Sequence, residues 1–118
     1  MADSALTPEH ALDYLRELST DITSALLLGR DGRVAAERDV DAADAAAALV
    51  NELFESGDRA AGGAGQTAQI EVVLPSEAVF AVRDGDWTLA VVAHRGALPS
   101  LMFYDLRSVV GDLGGEGS

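Results

Sequence analysis

Two segments of this chain, residues 22–28 after a polar start at Thr23-Ser24 and residues 87–93, are apolar toward both faces of a strand. A strand that buries both faces belongs at the centre of a sheet with cover on each side. The two segments are therefore expected to lie side by side in the middle. The first runs into Gly29-Arg30-Asp31-Gly32, whose Asp-Gly pair suits a tight hairpin, and returns as a short strand over 33–38. The second is reached through a meander. Residues 67–74 alternate, with Ala68, Ile70, Val72 and Leu74 on one face, and Pro75-Ser76-Glu77 turns the chain into 78–82. Asp84-Gly85 then turns it into 87–93. Two hairpins growing outward from the central pair predict the strand order 2-1-5-4-3.

Helices supply the cover. Thr7-Pro8 reads as an N-cap followed by proline in the first turn, and Ala11, Leu12, Leu15 and Leu18 recur at helical spacing up to about Ser19-Thr20. A second helix is predicted over 41–56, with Asp41 as its cap and Asp44 near the positive end of its dipole. Its apolar stripe is Ala45, Ala46, Leu49, Val50, Leu53 and Phe54, and Gly57 reads as its C-terminal stop. Residues 58–66 read as a flexible loop. Pro99 opens a third helix with Leu98, Leu101, Met102, Leu106, Val109, Val110 and Leu113 on its buried stripe. The expected fold is α/β of the α+β type, in the order α-β-β-α-β-β-β-α. It forms one domain over 7–113, between a flexible N-terminus (1–6) and a disordered tail (114–118).

The chemistry available is narrow. The 118 residues contain no cysteine, which excludes disulfides, thiolate metal sites and cysteine nucleophiles. Twenty acidic residues against eight basic ones give a net charge of -12, which repels nucleic acid and anionic membranes. Every basic residue is arginine and alanine is abundant, so the charge reads as a feature of a GC-rich or salt-adapted proteome. The first nine residues have no basic stretch, and no apolar run approaches the ~18 residues of a membrane span, so a cytoplasmic location is expected. Gly62, Gly63 and Gly65 follow a helix and precede a strand, the reverse of a phosphate loop, and there is no lysine. His10 and His94, the two imidazoles, lack neighbours at metal-ligand spacing. Ser100 has no nucleophile elbow, and Asp84 and Asp86 are accounted for by turn chemistry. Trp87 fits either the core or a partner contact. No catalytic residue, cofactor or metal site is expected.

The two sheet edges differ. Strand 33–38 carries Arg33, Glu37 and Arg38, which discourage further pairing. Strand 67–74 has Glu71 as its one charge and no proline before Pro75, so it needs a cover. A second copy of the same strand around a two-fold axis provides one. Helix 41–56 opens with a run of small residues that allow close approach, although alanine there also serves helix propensity. The expected homodimer contacts are Ala45, Ala48, Thr67, Gln69 and Glu71. Proline at position 69 would remove either an outward donor or an internal ladder bond, depending on register.

Together these features resemble the Roadblock family, which is named for dynein light chains. The resemblance is carried by Ala25-Leu26-Leu27-Leu28-Gly29-Arg30-Asp31-Gly32-Arg33-Val34-Ala35-Ala36, by the meander 71–93, and by the closing Leu98-Pro99-Ser100-Leu101, and it covers roughly 8–113. It implies helix 41–56 on one sheet face, the terminal helices on the other, and dimers joined through the third strand and second helix. It also implies a non-enzymatic regulator or scaffold of a small Ras-like GTPase, since some bacterial relatives bind one as dimers without donating a catalytic residue. No catalytic motif exists in the family to transfer. On helix 41–56, Asp44, Asn51, Glu52 and Glu55 are the partner-binding candidates. The alternatives are a small-molecule sensory domain with a pocket near Trp87 and His94, and a nucleotide-independent structural adaptor.

Overall fold

Thr7 and Pro8 start the first helix as their order suggests. The Thr7 hydroxyl accepts the His10 N–H at 3.3 Å, and Pro8 occupies the first turn of α1 (Pro8–Leu18). The structure is a computed structural model describing residues 6–62 and 67–113. The expected tail 114–118, the N-terminal residues 1–5 and loop residues 63–66, with Gly63 and Gly65, lie outside the described residues. Leu6, at the end of the N-terminal stretch, donates its N–H to the Asp112 carbonyl at 2.8 Å and bridges to Leu113.

After α1 come β1 (Ile22–Leu28), β2 (Val34–Arg38), α2 (Ala43–Ala60), β3 (Gln69–Val73), β4 (Glu77–Asp84), β5 (Trp87–His94) and α3 (Pro99–Gly111). The five strands form one antiparallel sheet in the order β2-β1-β5-β4-β3, as the doubly apolar segments predict. The two hairpins turn on Gly32 (φ 80) and Gly85 (φ 60), in the left-handed region that glycine enters without steric cost. Asp39 takes the same conformation (φ 59) between β2 and α2, and its carboxylate pairs with Arg16 at 2.7 Å.

The sheet divides the interior into two layers. Beneath α1 and α3, residues such as Leu12, Leu15, Phe80, Leu89, Leu106 and Val109 close a large core, with Phe80 and Phe103 packed edge to face at 5.4 Å. On the other face Leu26, Leu28, Ala81 and Ala90 meet Ala47, Val50 and Phe54 of α2 in a smaller cluster. Arg83 of β4 stacks on the Phe54 ring at 4.7 Å and binds Asp58 at 2.9 Å, which ties the C-terminal part of α2 to the sheet.

Several boundaries and burials differ from expectation. Helix α2 begins after Ala42, with no side-chain cap, so Asp41 does not cap it. The helix continues to Ala60, leaving Gly57 in its interior and Asp58 helical. Gly57 is there for space: a Cβ at this position would stand 2.5 Å from Thr67 Oγ1. Leu49 and Leu53 are 63% and 37% exposed, because the sheet-facing line of α2 runs through Ala47, Val50 and Phe54. Likewise Leu98 and Leu101 of α3 are exposed, while Phe103, absent from the expected stripe, is buried. β3 is shorter than expected, and only Ile70 of its alternating set packs against the α2 cluster.

Candidate interaction surface

One edge of the sheet is guarded. α1 packs beside β2, and Arg38 of that strand binds Glu9 at 2.7 Å and Asp13 at 3.0 Å. The hydrogen bond from Arg38 holds the Asp13 carboxyl below the usual carboxylate range.

The other edge is open. Arg83 N–H donates to the Ala68 carbonyl and Leu74 N–H to the Glu77 carbonyl, both at 2.8 Å. Antiparallel ladders alternate, so residues 68, 70, 72 and 74 direct their backbone groups to β4. Gln69, Glu71 and Val73 direct theirs outward. The N–H of Gln69 therefore belongs to the free edge, which settles the register at that position. The free stretch is also bounded. Thr67 N–H donates to Asp58 Oδ1 at 2.6 Å and the Thr67 carbonyl accepts Arg83 Nη2 at 2.7 Å. At the far end Pro75 has no N–H to offer. The bond from Thr67 N–H, reinforced by Arg83, holds the Asp58 carboxyl below its ordinary range.

On the α2 side of the sheet lies an apolar groove of about 270 Å³. Leu49 and Leu53 form its helical wall, Val79, Ala90 and Val92 line its floor, and Ser24 is its one polar lining residue. The apolar positions of α2, from Ala45 round to Phe54, cover about half the helix circumference at ~100° per residue. The chain itself covers only part of that arc. Further exposed apolar side chains, Val73 and Leu74, sit at the end of the open strand.

The residues singled out in the sequence fall into distinct places. Ala45 is exposed one turn before Leu49. Ala48 is exposed too, but on the outer side of α2 with Asp44, Glu52 and Glu55. Asn51 is occupied internally: it is half-buried, and its Nδ2 donates to the Gly32 carbonyl at 3.1 Å, locking α2 to the first hairpin. Thr67 is also taken, packed against Gly57 and bonded to Asp58. The Gln69 side chain accepts a hydrogen bond from Arg107 of α3, and Glu71 is exposed. Leu49, Leu53, Val79 and Val92 were not among the expected contact residues; the breadth of the α2 stripe was the signal that could have found them.

Trp87 and His94, the expected walls of a sensory pocket, stand at opposite ends of β5. Trp87 is buried in the α1–α3 core and His94 is exposed. The two do not converge on one cavity, which removes the geometric basis for that pocket. Among the described residues no group of three or more metal-ligating side chains comes together, and no helix is long and apolar enough to cross a membrane.

This arrangement of sheet and helices recurs in solved structures. The Roadblock/LC7 domain from Streptomyces avermitilis is 31% identical, with 92% of this chain and 93% of that chain covered and a TM-score of 0.78. The chain belongs to the Roadblock/LC7 family. At 11% identity, MglB of Myxococcus xanthus superposes with a TM-score of 0.77 over 89% of each chain. The gliding protein MglB from Thermus thermophilus does so with a TM-score of 0.76 at 18% identity, over 100% of each chain. These two share the fold. No protein-family model matches the chain, and no curated protein matches its sequence.

Proposed function

We infer that this Roadblock/LC7 domain is a non-enzymatic cytoplasmic homodimer that regulates or scaffolds a small Ras-like GTPase. The observation that carries the reading is the adjacency of two unfinished surfaces. The outward ladder of Gln69, Glu71 and Val73 and the groove walled by Leu49 and Leu53 both need a cover. They adjoin, because Val79 of the groove floor is the register partner of Val72 in β3. A second copy related by a two-fold axis supplies a strand to one and a helix to the other. Membership of the family gives the choice of a GTPase as partner its support. Asp44, Glu52 and Glu55 remain exposed on the outer side of α2, and a dimer doubles them into an acidic platform. Such a platform suits a partner with a basic surface, and its association slows with salt.

The test is capture of the Ras-like GTPases from the source organism by the purified protein, loaded with GTP or with GDP. Binding that depends on the nucleotide supports the regulator. Binding indifferent to nucleotide favours the structural adaptor, and no binding to any of them removes the GTPase reading. Charge reversal at Glu52 and Glu55 is expected to weaken capture at low salt.

A further inference from the structure

Among the described residues, the open edge has three with both backbone groups free, and that limits how it can be covered. The geometry points to one register for the second copy: β3 pairs with β3 about a two-fold axis through Glu71, so that the two Glu71 carboxylates stand opposite each other and restrain assembly. This inference rests on the homodimer reading given above.

The register follows from which donors and acceptors remain. A pairing centred on Glu71 matches Gln69 with Val73 of the second copy, Glu71 with Glu71, and Val73 with Gln69, so every free group of the strand is used. Centring on Ile70 would set Val73 against Thr67, whose N–H is held by Asp58 and whose carbonyl is held by Arg83. Centring on Val72 would set Gln69 against Pro75, which has no N–H. Each shift leaves buried-edge donors or acceptors without partners, and such groups are costly.

The chosen register carries an electrostatic consequence. Directly opposed residues of a hydrogen-bonded antiparallel pair have Cα atoms about 5.5 Å apart and side chains on one face. Two glutamates in that position repel. Arg107 of α3 lies along the same row, but its guanidinium is engaged by Gln69, one pair away from the two-fold axis. The dimer is therefore held by backbone pairing and apolar burial against a like-charge contact at its centre.

Mixing decides the point. Equimolar unlabelled protein and ¹⁵N-labelled Glu71→Lys protein are combined at low salt, and the dimer masses are read by native mass spectrometry. With Glu71 opposite its own counterpart, both homodimers carry a like-charge pair and the mixed dimer carries an attractive one. The exchange constant is then expected about ten-fold above its statistical value, falling toward that value at high salt. Glu71→Gln, which removes the repulsion without reversing it, is expected to tighten the homodimer about three-fold. Dimers that mix statistically at low salt overturn the register while leaving the homodimer intact. A labelled and unlabelled pool with no dimers overturns the underlying reading instead.

Discussion

Replacing Gly57 by alanine sets helix propensity against packing, and the structure gives the outcome. Glycine inside a helix costs about 0.8–1.0 kcal/mol relative to alanine, so propensity alone calls for a stabilised protein. The added Cβ, however, would lie 2.5 Å from Thr67 Oγ1 and 3.1 Å from both Thr67 Cβ and Cγ2. Thr67 is β-branched and has no flexible end to swing aside. Its N–H is also bound to Asp58, so its backbone resists displacement. Overpacking of this kind typically costs about 1–3 kcal/mol, and disturbing a hydrogen bond to a charged group adds to that. The net effect expected for Gly57→Ala is a loss of about 1–2 kcal/mol, a fall in Tm on the order of 4–8 °C. Thermal and urea unfolding followed by far-UV circular dichroism measure it. Adding Thr67→Ala, which keeps the backbone donor, is expected to recover most of the loss. A Tm for Gly57→Ala equal to or above that of the parent would refute the packing argument.

Other consequences follow from the same surface. Gln69→Pro removes an N–H that points away from β4, so the variant is expected to fold as a monomer; Val72→Pro removes an internal ladder bond and is expected to lose about 3 kcal/mol or more of stability. Leu49→Asp changes a side chain already 63% exposed, so its unfolding free energy is expected to shift by less than about 0.5 kcal/mol. In the proposed homodimer the same change places a charge against an apolar groove, and sedimentation equilibrium is expected to show at least ~10-fold weaker association. Asp58 has a folded pKa below its unfolded value, first through the Thr67 N–H and then through Arg83. Its contribution to stability is therefore complete above the unfolded pKa of about 3.9 and is lost as pH falls through the lower folded value. The difference in Tm between the parent and Asp58→Asn is expected to shrink across that acidic window, and a constant difference would contradict the assignment.

Much of the architecture was legible because it rests on coarse signals. Two strands apolar on both faces had to be central, and Gly32 and Gly85 mark the hairpins that carry the chain outward from them. What periodicity could not show is who covers an apolar position. Leu49 and Leu53 fit the stripe of α2, yet the chain's own fold leaves both exposed. Leu98 and Leu101 fit the stripe of α3 and are exposed for a related reason: the sheet-facing line passes through Met102, Leu106 and Val109. Gly57 misled because a glycine after an apolar stripe resembles a helix stop, whereas here it makes room for Thr67. The outward parity of Gln69 depends on how the Pro75-Ser76 turn sets the β3–β4 register, which residue types alone left undetermined. Thr67 and Asn51 looked available because nothing in the sequence announces that Asp58 and Gly32 would engage them.

The mass of the particle in solution bears most directly on the central claim. Light scattering across a micromolar dilution series is expected to give twice the 12.2 kDa chain mass, dissociating on dilution, with Gln69→Pro giving the single-chain mass while remaining folded. A parent protein that stays at 12.2 kDa throughout the series would contradict the claim that the β3 edge and the α2 groove are completed by a second copy.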